Sequence, residues 1–327
     1  MTTGSRTREV GNGIHEVFLP LPMRPSIVNV WLIDGGTEWA LIDTGMSTPE
    51  SHDAFREALN ALRLEPTAIR KIVCTHHHPD HFGTSALLRD WCQAEVFLHR
   101  LEVERVKGFL PQPRSPEVIA FFLRHGIPLE RFVHVPSPSE FWARLYAPVT
   151  PDRLLEDGEE LRIGHQRLRV VWTPGHAPGH CCFLFPETKA LIVGDHLLPK
   201  ISPHVGVFPD GPKNPLGDYL DSLDKVARLD VATVLPAHGG IYEDHRRRVA
   251  QLRHHHEYRM LAALDAARAT PRAAYDIARE IFDFDELAPP QVQFPATFEA
   301  LAHLELLVLQ GRMEKVDEND RLHFRSI

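Results

Sequence analysis

Residues 75–81 read Thr-His-His-His-Pro-Asp-His and directly follow the apolar segment 71–74. Four imidazoles and one carboxylate in so short a stretch either stay solvated or share a cation, and histidine is the commonest side-chain metal ligand. A purification tag does not fit, because the cluster is internal and Pro79 and Asp80 interrupt it. We therefore interpret this stretch as part of a metal site.

Further histidine and aspartate residues follow other apolar segments along the chain. Asp43, His180, Asp195 and His238 each lie just past a segment that predicts a strand. Strand ends at one edge of a layered α/β fold are close in space, and chemistry gathers at such loops. Metal ligation explains all of these positions together.

The spacing within the cluster suits two ions rather than one. The pattern His76-x-His78 lets two imidazoles from an extended loop converge on one ion, while Asp80 and His81 turn away toward a helix start. Two ions about 3.5–4 Å apart share a bridging oxygen and stabilise charge on both sides of a displacement. Asp195 is the carboxylate available as the protein bridge.

Layered strands and helices must position these residues. Apolar and β-branched segments predict strands at 14–19, 28–33, 39–42, 71–74, 95–98, 161–163, 168–172, 183–185, 190–193 and 231–235. Helical spacing predicts helices at 50–62, 82–91, 117–125 and 215–229. Three later helical segments, 246–267, 271–282 and 294–310, precede a hairpin at 313–324. We predict a catalytic domain over 1–245 and a small winged-helix-like domain over 246–327.

The segment 101–147 differs in character and is interpreted as a helical insertion between core elements. It is rich in proline and in aromatic residues: Phe109, Phe121, Phe122, Phe132, Phe141, Trp142 and Tyr146. One interpretation is that these rings pack the insertion onto the body of the protein. The other is that they form a lid or wall over an active site.

Composition limits the classes of function. The 327 residues carry a net charge of -8, which argues against general affinity for nucleic acid or anionic membrane. Residues 1–23 lack the apolar core of a signal peptide, and no run of about 18 apolar residues predicts a membrane span. Of four cysteines, Cys181 and Cys182 are adjacent, a poor disulfide framework. We expect a cytoplasmic protein.

The ordered motifs resemble those of the metallo-β-lactamase-fold hydrolases over roughly residues 14–245, and stretches 75–78 and 173–180 look most like the glyoxalase II type. The resemblance implies an α/β fold, an αββα sandwich with two β-sheets between outer helices. It also implies two divalent ions, zinc first, with iron or manganese as alternatives. The implied ligands are His76, His78 and His180 on one ion, Asp80, His81 and His238 on the other, and Asp195 between them. Asp43 would orient ligands without touching an ion.

The same resemblance makes Asp80, Asp195 and His196 the predicted catalytic residues. His196 would either support a ligand or donate a proton to the leaving group. His77 is expected to point away from the ions, and His176 to serve in forming a turn.

The family mechanism implied is attack by a metal-bridging hydroxide on a carbonyl or phosphoryl centre. We favour a small-molecule ester, thioester (acyl-CoA or related) or lactone, with residues 105–146 forming part of an acyl pocket. A metal-dependent endoribonuclease or phosphodiesterase and a mononuclear-iron dioxygenase of the persulfide type are the alternatives; Asp195 disfavours a true β-lactamase. Residues 251–327 carry nine Arg or Lys against thirteen Asp or Glu, which disfavours nucleic acid as partner. The C-terminal domain would then cover substrate or form a homodimer.

Overall fold

The computed structural model describes residues 6–108, 116–130, 145–285 and 288–327. Its first sheet has seven strands in sequential order, antiparallel from β1 to β4 and parallel from β4 to β7. These strands are Thr7–Gly11 (β1), Ile14–Pro20 (β2), Ile27–Asp34 (β3), Trp39–Ile42 (β4), Ile69–Val73 (β5), Glu95–His99 (β6) and Arg153–Leu155 (β7). The sequence pattern had not indicated β1 or β7, which are the edge strands.

The second sheet has five strands in the order β12-β11-β10-β9-β8, with only β11 and β12 parallel. Its strands are Glu160–Ile163 (β8), Gln166–Trp172 (β9), Cys181–Phe185 (β10), Ala190–Gly194 (β11) and Thr233–Pro236 (β12). Every residue of β10 and β11 is buried, as expected for strands covered on both faces. Both central strands were predicted from their apolar runs.

The two sheets pack face to face through one shared core. Trp31 and Ile33 of the first sheet belong to the same buried cluster as Val170, Phe183 and Ile192 of the second. Separate clusters cover the outer faces, one with the early helices and one with the later helices. This is the predicted αββα sandwich, and the fold class is confirmed.

Helices lie against both outer faces. They are Pro49–Leu62 (α1), Pro79–Phe82 (α2), Ser85–Cys92 (α3), Val103–Gly108 (α4), Pro116–Arg124 (α5), Pro215–Ala227 (α6), His245–Ala266 (α7), Ala274–Ile281 (α8) and Pro290–Leu309 (α9). The Thr48 side chain accepts a hydrogen bond from the Ser51 amide (3.1 Å) at the start of α1, and Arg63 ends that helix in the left-handed conformation. Phe55 and Leu59 of α1 then bury against the first sheet.

Helices α7 to α9 combine with a three-stranded sheet, Arg272–Ala273 (β13), Met313–Glu318 (β14) and Arg321–Ser326 (β15), in the order β13-β15-β14. The hairpin and three helices lie where the sequence predicted them. Phe324 and Leu301 belong to the same buried cluster as Val171 and Leu191 of the second sheet. The C-terminal region therefore packs directly on the outer layer of the sandwich.

The segment Val292–Leu309 is long and apolar enough to cross a membrane by length and composition alone. It lies within α9, and 56% of it is buried inside the protein. Ala300, Leu301 and Leu304 pack in the same core as α7 and α8. Burial against protein explains its apolar composition.

Candidate metal centre

Five chain segments bring histidine and aspartate side chains to one edge of the sandwich: those that follow β4, β5, β11 and β12, and the loop 173–180 after β9. Asp43 follows β4 and residues 74–81 follow β5, and these two strands are parallel neighbours. Asp195 follows β11 and His238 follows β12, which are parallel neighbours in the other sheet. Parallel neighbours end at the same edge, so residues far apart in sequence meet there.

Three histidines form the first half of the site, here called the triple-histidine group: His76, His78 and His176. His76 Nε2 lies 3.0 Å from His78 Nδ1, and His176 Nε2 lies 3.2 Å and 2.9 Å from these two atoms. Nitrogens around tetrahedral zinc, each about 2.0–2.1 Å from the ion, stand about 3.3 Å apart. The three nitrogens are therefore spaced as ligands of one small cation.

The second half, here called the Asp80 group, consists of Asp80, His81 and His238. Asp80 Oδ2 lies 3.2 Å from His238 Nε2 and 3.6 Å from His81 Nε2. Asp80 and His81 lie in the short helix α2, directly after His78. The ring of His81 stays beside the ring of His76, with centroids 4.1 Å apart, so the two groups adjoin each other.

Asp195 lies between the two groups. Its Oδ2 is 3.6 Å from His176 Nε2 of the triple-histidine group. Its Oδ1 is 3.6 Å from His81 Nε2 and 3.5 Å from His238 Nε2 of the Asp80 group. One carboxylate thus presents one oxygen to each half of the site.

Buried hydrogen bonds set the orientation of the ring nitrogens. Asp43 Oδ2 lies 2.9 Å from His81 Nδ1, and Asp43 Oδ1 accepts from the Thr75 amide at 2.7 Å. His238 Nδ1 donates to the Ile27 carbonyl at 2.9 Å, and His176 Nδ1 donates to the His204 carbonyl at 2.8 Å. Each bond occupies Nδ1 and leaves Nε2 facing the cluster. Asp43 thus lies where it can orient His81.

Burial is the main cause of lowered pKa values in the triple-histidine group. It lowers the pKa of His76, His78 and His176, and neighbouring imidazoles lower the pKa of His76 and His78 further. All three rings are therefore neutral at pH 7, with lone pairs available to a cation.

The Asp80 group has the opposite electrostatics. Burial opposes protonation of His81 and His238, but the Asp80 and Asp195 carboxylates outweigh it and raise both histidine pKa values. Burial likewise opposes ionisation of the two carboxyls, and the nearby imidazoles lower their pKa values. The two carboxylates thus favour protonation of His81 and His238.

The donor set fits divalent metal ions. His81 Nε2 and Asp195 Oδ1 are buried, and neither has a hydrogen-bond partner within the described parts of the chain. Buried polar atoms left in this way cost free energy, and a bound cation would satisfy both. Imidazole with carboxylate suits zinc, iron or manganese.

Comparison with known proteins agrees with this geometry. The family model of the metallo-beta-lactamase superfamily matches residues 23–238. The chain belongs to the metallo-β-lactamase superfamily. A second model, the metallo-beta-lactamase-like C-terminal domain, matches residues 261–327. The sandwich and the C-terminal helices with their small sheet thus each have counterparts in this superfamily.

Solved structures of superfamily members resemble the whole chain. A metallo-beta-lactamase family protein from Thermus thermophilus is 33% identical, with a TM-score of 0.85, and the alignment covers 98% of this chain and 100% of that one. A beta-lactamase domain protein from Burkholderia ambifaria is 29% identical, with a TM-score of 0.86 over 100% and 95% of the two chains.

Among curated relatives, the lactamase-like protein adaB of Aspergillus niger is 30% identical over 247 residues, 74% of this chain. The chain spans about three fifths of the length of such fungal relatives, 60% in this case. The probable metallo-hydrolase YqjP of Bacillus subtilis is 24% identical over 95% of this chain and 97% of its own length.

The structure differs from the sequence-based ligand set at His180. His180 Nδ1 pairs with the Thr173 hydroxyl at 2.8 Å, and His180 Nε2 accepts the Asp195 amide at 3.2 Å. Both ring nitrogens of His180 therefore have hydrogen-bond partners, and the side chain lies behind the cluster rather than in it. His176 occupies the place expected for His180. Gly194, at φ 48°, permits this close approach, since a Cβ there would lie 2.7 Å from His180 Nε2.

His196 also lies outside the two groups. Its ring is fully buried against Tyr219, with centroids 5.2 Å apart, and 6.1 Å from the ring of His180. Burial lowers its pKa to about 3. Neither ring nitrogen has a hydrogen-bond partner within the described residues. His196 is thus a buried neighbour of His180 and belongs to neither group, which suits the predicted supporting role better than the predicted role as proton donor.

Sequence reasoning missed His176 as a member of the cluster, and it missed Glu102 as a neighbour of the site. The loop 173–180 contains two histidines after one strand, and spacing alone does not say which of them turns inward. No motif marks Glu102, which reaches the site only through tertiary packing. His77 points away from the cluster, toward Glu102, as predicted.

Proposed function

We propose that the chain is a binuclear metal-dependent hydrolase. One ion would be held by the triple-histidine group and the other by the Asp80 group. The observation that carries this proposal is the placement of Asp195, whose two oxygens face the two groups separately at 3.5–3.6 Å. A carboxylate so placed suits a ligand shared by two neighbouring cations.

Bound divalent ions supply Lewis acidity toward a carbonyl and lower the pKa of water to about 7. The chain's own residues provide the setting. Asp43 holds His81 with Nε2 inward, and the Ile27 carbonyl holds His238 in the same sense. His180 fixes the amide of Asp195, so the shared carboxylate is positioned through its backbone.

We propose an ester or thioester with an apolar acyl group as the substrate class. Four phenylalanines form an aromatic strip that leads away from the site: Phe122, Phe208, Phe294 and Phe298. The strip begins beside the triple-histidine group, because Phe208 contacts His204, whose carbonyl accepts from His176 Nδ1. Apolar surface so close to a polar centre suits an acyl chain next to its carbonyl.

Within the strip, Phe122 stacks on Phe294 and Phe298 with ring centroids 5.8 Å and 5.3 Å apart. The insertion helix α5 is therefore joined to α9 through aromatic rings. Phe298 is 8% exposed and Phe208 40% exposed, so Phe208 is the ring most available to a ligand. Phe121, the neighbouring ring of the same helix, instead packs against the His125 ring and the C-terminal core. Phe109, Phe132, Phe141 and Trp142 lie outside the described residues.

Metal analysis of protein purified without added metal tests the centre. We expect about two equivalents of zinc, or of mixed zinc, iron or manganese, per chain. One equivalent of iron together with oxygen consumption would contradict the hydrolase proposal and favour the dioxygenase alternative. The acidic balance of residues 251–327, nine cations against thirteen anions, supports a small-molecule substrate over nucleic acid.

A substrate panel of acyl thioesters of several chain lengths, lactones, phosphodiesters and a β-lactam tests the chemistry. We expect thioesters or esters to be hydrolysed with the highest kcat/KM. The Phe208→Ala variant should shift the preferred acyl length, while Tyr258→Ala, which removes an exposed ring from α7, should not. Equal profiles for wild type and Phe208→Ala would contradict the strip, and phosphodiester preference would contradict the substrate class. Cytoplasmic location and a homodimer stay predictions.

A further inference from the structure

Glu102 is a fully buried carboxylate beside the site that neither metal group uses. It ends the short 3-10 helix Arg100–Glu102, directly after β6. Burying a carboxylate costs several kcal/mol unless hydrogen bonds and opposite charge compensate. The buried Glu102 carboxylate therefore requires hydrogen-bond donors around it.

Those donors come from the two loops that build the triple-histidine group. Glu102 Oε2 accepts from the His77 amide at 2.9 Å and also from His77 Nδ1. Glu102 Oε1 accepts from the Gly179 amide. His77 lies between His76 and His78, and Gly179 lies in the same loop as His176. One carboxylate thus connects both loops.

Neighbouring contacts also restrain the backbone at His77 and Gly179. The Tyr146 hydroxyl donates to the His77 carbonyl at 2.9 Å, so the backbone of His77 is held on both of its polar atoms. A Cβ at Gly179 would lie 2.8 Å from Glu102 Cγ and 2.7 Å from His99 Nδ1. The loop therefore approaches Glu102 more closely than any other residue type at position 179 would allow.

We infer that Glu102 is a positioning residue, which sets the spacing of the triple-histidine group by tying the His77 backbone to the Gly179 backbone. This inference rests on the proposed metal centre. It also gives His77 a role: its ring supplies a third donor to Glu102 and, facing away from the cluster, leaves His76 and His78 to face it. Burial opposes ionisation of Glu102, but His77 and the amide donors lower its pKa, so the carboxylate is charged at neutral pH.

The test is the Glu102→Gln variant. A glutamine places one NH2 where an oxygen now accepts, so either Gly179 N–H or His77 N–H meets another donor. Glu104→Gln is the matched control, because it removes the same charge from an exposed position two residues along. Both proteins are stripped of metal and titrated with cobalt, and binding is followed by the visible cobalt spectrum and by chelator competition.

We expect Glu102→Gln to bind the triple-histidine ion about 10–100-fold more weakly, as for other residues that orient metal ligands. Its cobalt spectrum should change, while the Asp80-group ion and the Glu104→Gln control should match wild type. Unchanged affinity and spectrum in Glu102→Gln would overturn the inference. So would equal weakening of both ions.

If Glu102→Gln does not fold, His77→Ala replaces it. This variant removes one donor from Glu102 and keeps the two backbone donors, so a smaller shift of the same spectral bands is expected. No shift would overturn the inference. Failure of the wild-type protein to bind two ions would instead overturn the proposed function, which keeps the two failures distinguishable.

Discussion

The Asp43→Asn substitution tests how one buried carboxylate controls a ligand ring. Asp43 is 1% exposed and lies at φ 62°, a left-handed conformation that asparagine also tolerates, so the backbone is preserved. Wild-type Asp43 accepts from the Thr75 amide through Oδ1 and lies 2.9 Å from His81 Nδ1 through Oδ2.

In the variant, the amide oxygen satisfies Thr75 N–H, which leaves the NH2 facing His81 Nδ1. His81 then accepts at Nδ1 and carries its proton on Nε2, the atom that faces Asp80 and Asp195. A protonated Nε2 cannot ligate a metal ion. Losing such an orienting partner weakens metal binding about 10–100-fold, which corresponds to about 1.4–2.7 kcal/mol.

The assay is a zinc titration of metal-free protein with a competing chromophoric chelator, which resolves two binding steps. We expect the Asp80-group ion to weaken and the triple-histidine ion to keep its wild-type affinity. Hydrolysis should fall with occupancy of the weakened ion. Wild-type affinity at both steps would refute the tautomer reasoning, provided that circular dichroism shows the variant to be folded.

Three further predictions follow from the same structure. His176→Ala should lose one metal ion, whereas His180→Ala should retain two with altered affinity; metal analysis of both proteins decides, and the reverse result would restore His180 as the ligand. Chelation of metal should lower the melting temperature, because ions stabilise only the folded state. One ion at a free concentration a hundredfold above its Kd adds about 2.7 kcal/mol to the free energy of unfolding; calorimetry showing no shift on chelation would contradict this. Burial lowers the pKa of His303 to about 4. Between pH 6.5 and 4, His303 is protonated in the unfolded state but remains neutral in the native state. The free energy of unfolding should therefore decrease as pH is lowered, by up to about 3 kcal/mol. Urea denaturation of metal-free His303→Gln should show a shallower pH dependence over this range, and an unchanged slope would contradict the assignment.

Local patterns predicted most of the secondary structure of this fold. Buried strands such as β10 and β11 are short apolar runs, and α1 has both a capping threonine and a buried face. The edge strands β1 and β7 escaped detection because they are partly exposed and carry charged residues. The composition of α9 alone would also suit a membrane span. Its packing against α7 and α8 shows that the apolar residues serve burial within the protein.

The sequence by itself determined which chain segments supply residues to the candidate site, because strand ends that carry histidine and aspartate are recognisable from local patterns. It determined that His76 and His78 converge and that Asp80 and His81 follow them at a helix start, since both follow from local spacing. Only the tertiary structure decided between His176 and His180. That choice depends on which ring in the loop 173–180 faces His76 and which meets the Asp195 amide. The same holds for Glu102, whose partners are 25 and 77 residues away in the chain.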